Sequence, residues 1–154
     1  MNRNNLNRIL LLVFIALSTF FAFKIRLENV GYIFAGFLIL IVIMFIAHIS
    51  LMIIASKSSK LYALIVIAQI LYITNLLISV DVHDYGRGGG MSIVEFLYAR
   101  GIEVEPPRWL FGSETAFYVS IALLIAFMLA DLVILGILIK KNRSKRSIPP
   151  ENLL

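Results

Sequence analysis

The chain has 154 residues, 60% of them hydrophobic, with a mean hydropathy of +0.94, a formal net charge of +5 and no cysteine. An apolar share this high, gathered in long runs, excludes an ordinary soluble domain and leaves no length for a separate catalytic domain. The lack of cysteine excludes disulfides, thiolate chemistry and cysteine-based metal centres, and no cofactor is expected.

The first apolar run, residues 9–23, follows Arg3 and Arg8 and precedes Lys24 and Arg26. A secretory signal peptide shares the basic start, and Ala16-Leu17-Ser18 resembles a cleavage site, but the run is read as an uncleaved first span. Flanking Arg8 and Lys24 are expected to snorkel outward and make up its short length. The second run, 30–55, is interrupted by His48 and Ser50, and the third, 61–80, carries Gln69, Thr74, Asn75 and Ser79. The link Ser56-Lys57-Ser58-Ser59-Lys60 is short enough to make these two helices antiparallel neighbours.

Residues 81–115 form the only long polar stretch between spans. Gly86-Arg87-Gly88-Gly89-Gly90 lacks the Gly-Lys-Ser/Thr ending of a phosphate-binding loop, so it reads as a hinge. Met91 to Arg100 reads as a short helix, apolar around most of its circumference, lying in the outer interface or docked on the bundle. Pro106-Pro107 ends it, Trp109 and Phe111 suit an interfacial aromatic belt, and Ser113 is a candidate N-cap for the next helix, with Glu114 favourable at its dipole. Asp81, His83 and Asp84 are a weak metal candidate, since a second histidine is lacking nearby.

The last run, 117–139, has 23 residues. At about 1.5 Å per residue it covers a hydrocarbon core about 30 Å thick, and it holds the lone intramembrane acid, Asp131. Lys140 to Arg146 is a polybasic segment, and residues 142–154 read as a disordered basic tail. The expected fold is an all-α integral membrane protein: four transmembrane helices in an antiparallel bundle within residues 1–141, plus the short outer helix.

Charge counting orients it. With the N-terminus in the cytosol, nine basic residues and one acid lie inside, against five basic residues and seven acids outside. The positive-inside rule therefore favours cytosolic termini and an outer 81–115 loop. The net charge is topology, not nucleic-acid binding.

The polar residues inside the spans share a depth. His48, Gln69 and Asp131 each lie nine residues from Lys57, Lys60 and Lys140, and Ser18 and Thr19 lie ten and eleven from Arg8. That places a polar side chain from every helix at about 13 to 16 Å from one face. At about 100° per residue, Tyr62, Gln69, Tyr72, Asn75 and Ser79 form a stripe on the third helix that must face the bundle interior or a protein partner, and Ser120 lies near the Asp131 face. Ala122, Ala126 and Ala130 make a small-residue stripe suited to helix packing. The midplane set is either a hydrogen-bonded cluster that fixes helix register or a proton or cation site, with Asp131 titrating beside His48 and Gln69 and Asn75 lining a path.

Asn29-x-Gly31-x-x-Phe34 and Phe127-x-x-Ala130-Asp131 resemble motif fragments of the lipoprotein signal peptidases, four-span aspartyl proteases. The resemblance implies a second aspartate soon after the asparagine of the third helix. Asn75 is instead followed by Leu76-Leu77-Ile78, and the resemblance is not adopted. No catalytic residue is assigned, because no serine has a base in reach and the membrane holds one acid. The expected function is a non-catalytic accessory or interaction subunit of a membrane complex, in the class of assembly factors and immunity proteins. Its partners are the lipid bilayer and a membrane protein or a second copy. A homo-oligomeric proton-coupled transporter or channel is the alternative, and an intramembrane hydrolase ranks last.

Overall fold

In the computed structural model, which describes residues 3–28, 32–79, 91–105 and 113–146, the chain is almost entirely helical and contains no strand among those residues. The elements are α1 (Arg3–Glu28), α2 (Tyr32–Ala55), a 3-10 turn (Ser59–Leu61), α3 (Tyr62–Ile78), α4 (Ser92–Tyr98) and α5 (Ser113–Arg146). Three stretches are long and apolar enough to cross a membrane, Arg3–Arg26, Ser59–Ile78 and Thr115–Ser144, and Val42–Ala55 of α2 is a shorter apolar helical segment. These sequences are rich in Ile and Val, mediocre helix formers in water. Hydrocarbon offers the backbone no other hydrogen-bond partner, so helix is the outcome.

The first and last helices outrun their apolar runs, while α2 and α3 stay within theirs. α1 begins six residues before position 9, and α5 has 34 residues, about 51 Å, which exceeds a bilayer core by several turns. The expectation of a disordered tail from residue 142 is corrected in part: 142–146 continue α5, since nothing in Lys140–Arg146 breaks a helix, while 147–154 lie outside the described residues. α5 is described from Ser113 onward, and the residues before it lie outside the described ones.

The helices alternate in direction. At one end Arg8 Nε donates to Ser56 Oγ at 3.3 Å, Tyr62 OH donates to the Asn4 carbonyl at 3.5 Å and Lys141 Nζ donates to Ser58 Oγ at 3.4 Å. The start of α1, the α2–α3 turn and the end of α5 therefore meet there. Ser56 is fully buried, and its hydroxyl donates to the Ile53 carbonyl at 2.7 Å, which tightens the turn.

At the other end α4 packs on α1 and α3. Met91, Ala116, Ile78, Ile93 and Val94 form a small apolar cluster there. α4 stops in a Schellman arrangement: Gly101 N–H donates to the Tyr98 carbonyl at 3.0 Å and Ile102 N–H to the Leu97 carbonyl at 3.1 Å, with Gly101 at φ +74°, where a side chain would be strained.

The interior is two apolar layers with a gap between them. The first joins Leu11 and Ile15 of α1, Met52 and Ala55 of α2, Leu61, Ile65 and Ala68 before and within α3, and Ile134 of α5. The second joins Ala22, Tyr72, Leu76 and Phe127. α3 is the central element, packing against both α5 and α1. Ser18, Thr19, His48, Gln69 and Asp131 lie in sequence between the two layers on their respective helices, and so occupy the gap.

The small-residue stripe does not pack as a unit. Ala130 sits against the first layer, but Ala122 is exposed. Steps of four residues advance about 40° around a helix, so two steps rotate Ala122 about 80° from Ala130. The α5 face toward the core carries Ala116, Phe127 and Ile134 instead.

Candidate functional site

The site is a hydrogen-bonded ladder crossing the gap. His48 Nδ1 lies 3.0 Å from Asp131 Oδ2 and 3.2 Å from Oδ1, and His48 Nε2 lies 3.1 Å from Gln69 Oε1. Gln69 Nε2 donates to Ser18 Oγ and to Thr19 Oγ1, both at 2.9 Å. One run of side chains thus links α5, α2, α3 and α1. Gln69 and His48 are at 0% and 1% exposure, so neither has water as an alternative partner.

The donor pattern orients the Gln69 amide. The Ser18 hydroxyl donates to the Ile15 carbonyl at 3.2 Å, so its oxygen accepts from Gln69, whose amide nitrogen therefore faces α1. The Gln69 carbonyl oxygen then accepts from Nε2–H of His48. On its other side the imidazole turns Nδ1 to the Asp131 carboxyl, so the two polar side chains satisfy each other inside the bundle.

Aromatic rings hold the imidazole in place. Tyr72 stacks on it at 4.8 Å and 35°, Phe127 meets it edge-on at 4.9 Å and 74°, and the two rings touch each other at 5.1 Å. Among the described residues the buried Tyr72 hydroxyl meets no hydrogen-bond partner.

The remaining stripe residues of α3 find separate partners. Asn75 Nδ2 donates to the Ser120 carbonyl at 2.6 Å and to its Oγ at 3.2 Å, Tyr62 reaches Asn4, and Ser79 Oγ donates to the Leu76 carbonyl at 2.9 Å. Asn75 is therefore tied to α5 one layer away from the ladder, as a helix clasp. Asp81, His83 and Asp84, the weak metal candidate, lie outside the described residues, as do Asn29, Gly31, Trp109 and Phe111. Among the described residues no group of three His, Asp or Glu side chains could hold a metal ion.

Sequence reasoning missed Arg26. Counted only as one of the basic residues flanking the first run, it sits inside α1 at 4% exposure and its guanidinium donates to the Ser79 carbonyl at 3.3 Å, satisfying the C-terminal end of α3. The signal was present: Arg26 lies seven residues beyond Thr19 and four beyond Ala22, hence on the buried face of the same helix.

Two clefts flank α2. One, about 770 Å³, opens between α1 and α2 and is walled by Ile15, Ala16, Phe20, Phe23, Phe45 and Ile49, with Thr19 at its floor. The other, about 430 Å³, opens between α2 and α5 and exposes Asp131, whose side chain is 18% accessible. The ladder therefore runs laterally from one cleft to the other, at a single depth.

No protein-family model, curated protein or solved structure matches the chain. The short motif fragments shared with lipoprotein signal peptidases accordingly carry no family assignment.

Proposed function

We propose that the chain is a non-catalytic interaction subunit of a membrane protein complex. In this reading α2, 24 residues long, is a fourth span beside the three others, both termini are cytosolic, and residues 81–115 lie outside. The observation that carries it is the contrast between ladder and cleft. The ladder residues of α1, α2, α3 and α5 bond to one another, while the 770 Å³ opening between α1 and α2 is walled almost wholly by apolar side chains and contains no described helix of this chain. A membrane helix of a partner protein fits such an opening through close packing, the main source of helix association in lipid.

The absence of native cysteine makes the test direct. Single cysteines at Ala16 and Phe45, carrying a photoactivatable cross-linker in native membranes, are expected to capture one protein of defined mass. Leu129→Cys, on the exposed side of α5, should not. Recovery of only a homo-oligomer, or equal labelling from all positions, would remove the proposal.

A proton-coupled transporter or channel is the second reading, favoured by the partial exposure of Asp131 in the α2/α5 cleft. Its weakness is direction: the ladder crosses the bundle sideways and does not connect the two membrane faces. Transport predicts a pH-dependent flux in reconstituted vesicles that Asp131→Asn abolishes. The interaction reading predicts no such flux in either protein.

A further inference from the structure

The α2/α5 cleft continues toward the basic end of the molecule. Above it lies a second opening of about 450 Å³, which shares Leu51, Ile54 and Leu135 with the first, so the two form one trough. Its rim carries Lys57 and Ser58 from the α2–α3 turn and Lys141 and Asn142 from α5. Lys57 and Lys141 are exposed, and Lys141 leans across the mouth to donate to Ser58 Oγ at 3.4 Å. An ammonium has three N–H donors, so this contact leaves Lys141 two more for an anion.

The dimensions are those of a lipid. From Lys141 to Asp131 α5 rises about 15 Å, half of a core about 30 Å thick, which is the depth filled by the acyl chains of one leaflet. Apart from Ser50 the walls are apolar down to the floor, where both Asp131 oxygens face His48 Nδ1. Cationic donors at an interfacial rim over an apolar trough match a phosphate head group with its chains attached.

We propose that this trough binds one anionic phospholipid, its phosphate at Lys57, Ser58, Lys141 and Asn142 and an acyl chain lying between α2 and α5. Basic residues at a cytosolic membrane face are also simple topology signals, and that explanation treats all of them alike. The trough distinguishes them: Lys57 and Lys141 border it, whereas Lys60 and Lys140, at the same end, do not. The proposal rests on membrane placement of the chain and not on the identity of any protein partner.

The test is native mass spectrometry of the full chain extracted from mixed phosphatidylglycerol and phosphatidylcholine bilayers. The unaltered protein should retain one phosphatidylglycerol in preference to phosphatidylcholine. Lys57→Gln with Lys141→Gln should weaken retention about thirtyfold, each lysine near an anionic surface contributing about fivefold. The Lys→Arg pair at the same positions should keep it, and Lys60→Gln with Lys140→Gln, the same change in charge, should leave it intact. Leu135→Phe supplies an arm with unaltered lysines, narrowing the trough and lowering retention. Undiminished retention after Lys57→Gln with Lys141→Gln, or after Leu135→Phe, would overturn the proposal. So would equal loss in the Lys60/Lys140 control, displacement of the lipid by inorganic phosphate, or a lipid-free dimer as the sole species.

Discussion

His48→Leu is expected to destabilise the fold by about 1 to 4 kcal/mol, the loss of two interhelical polar links each worth about 0.6 to 2 kcal/mol in membrane helices. His48 makes the ladder's two central links, to Asp131 on α5 and to Gln69 on α3, and its loss strands the Asp131 carboxylate together with the Gln69 carbonyl oxygen. Leucine fills the volume between Tyr72 and Phe127, so the effect reads the polar contacts more than a cavity. Unfolding in mixed micelles by added ionic detergent, followed by circular dichroism, measures it.

Two companions make the result specific to the His48–Asp131 contact. Asp131→Asn should cost only about 1 kcal/mol, because an asparagine NH2 can donate to Nδ1 while Nε2–H still donates to Gln69, leaving a neutral, fully bonded set. His48→Leu combined with Asp131→Leu should be less damaging than His48→Leu alone, since no unpaired carboxylate remains. If Asp131→Asn proved as costly as His48→Leu, an amide would not be replacing the carboxyl at Nδ1, and the His48–Asp131 pairing would be wrong.

Gln69→Leu carries the second large effect, about 2 to 6 kcal/mol, from three polar contacts each worth about 0.6 to 2 kcal/mol in membrane helices. Gln69 is the branch point: one amide group reaches His48 on one side and Ser18 and Thr19 on the other. Because α1 meets α3 through this amide and the apolar pairs on either side of it, the loss should fall mainly on the α1 docking. Hydrogen exchange should rise along α1 before it rises along α3 or α5. Thr19→Val, which deletes a single accepting contact, should cost about 0.6 kcal/mol. Uniform exchange across all helices in Gln69→Leu would mean that the amide does not tie α1 to the rest.

The two predictions differ in kind. His48→Leu tests the buried polar link from α2 to α5 and α3, and Gln69→Leu tests mechanical attachment of α1. Neither depends on what the chain associates with, so both can be measured on the purified protein before any partner is sought.

How much of this was legible beforehand follows from what one-dimensional information can carry. Helix and membrane-length runs are written locally, in the long stretches of Ile, Leu, Val and Phe, because a backbone in hydrocarbon has one way to satisfy itself. Depth is legible too. A fixed rise per residue turns a count from Lys57, Lys60 or Lys140 into a height, so His48, Gln69 and Asp131 could be set at one level without coordinates. Rotation is only partly legible. The seven-residue spacing from Thr19 to Arg26 marks a buried face, yet a charged residue at a span end reads equally well as a loop, and only the neighbouring Ser79 carbonyl decides between them.

Composition, four apolar runs, the charge asymmetry and the shared height of the polar residues were determined by the sequence itself, each resting on local geometry or on counting. Tertiary structure alone decided that His48 faces Asp131 with one nitrogen and Gln69 with the other, and that Asn75 pairs with Ser120 instead of joining them. It alone decided that α2 stands with a cleft on either side. The physical reason is that rotation and tilt about a helix axis are set by how whole faces interlock, Met52 and Ile134 against Ile65, Phe127 against Tyr72. No single residue, and no spacing along one helix, contains that information.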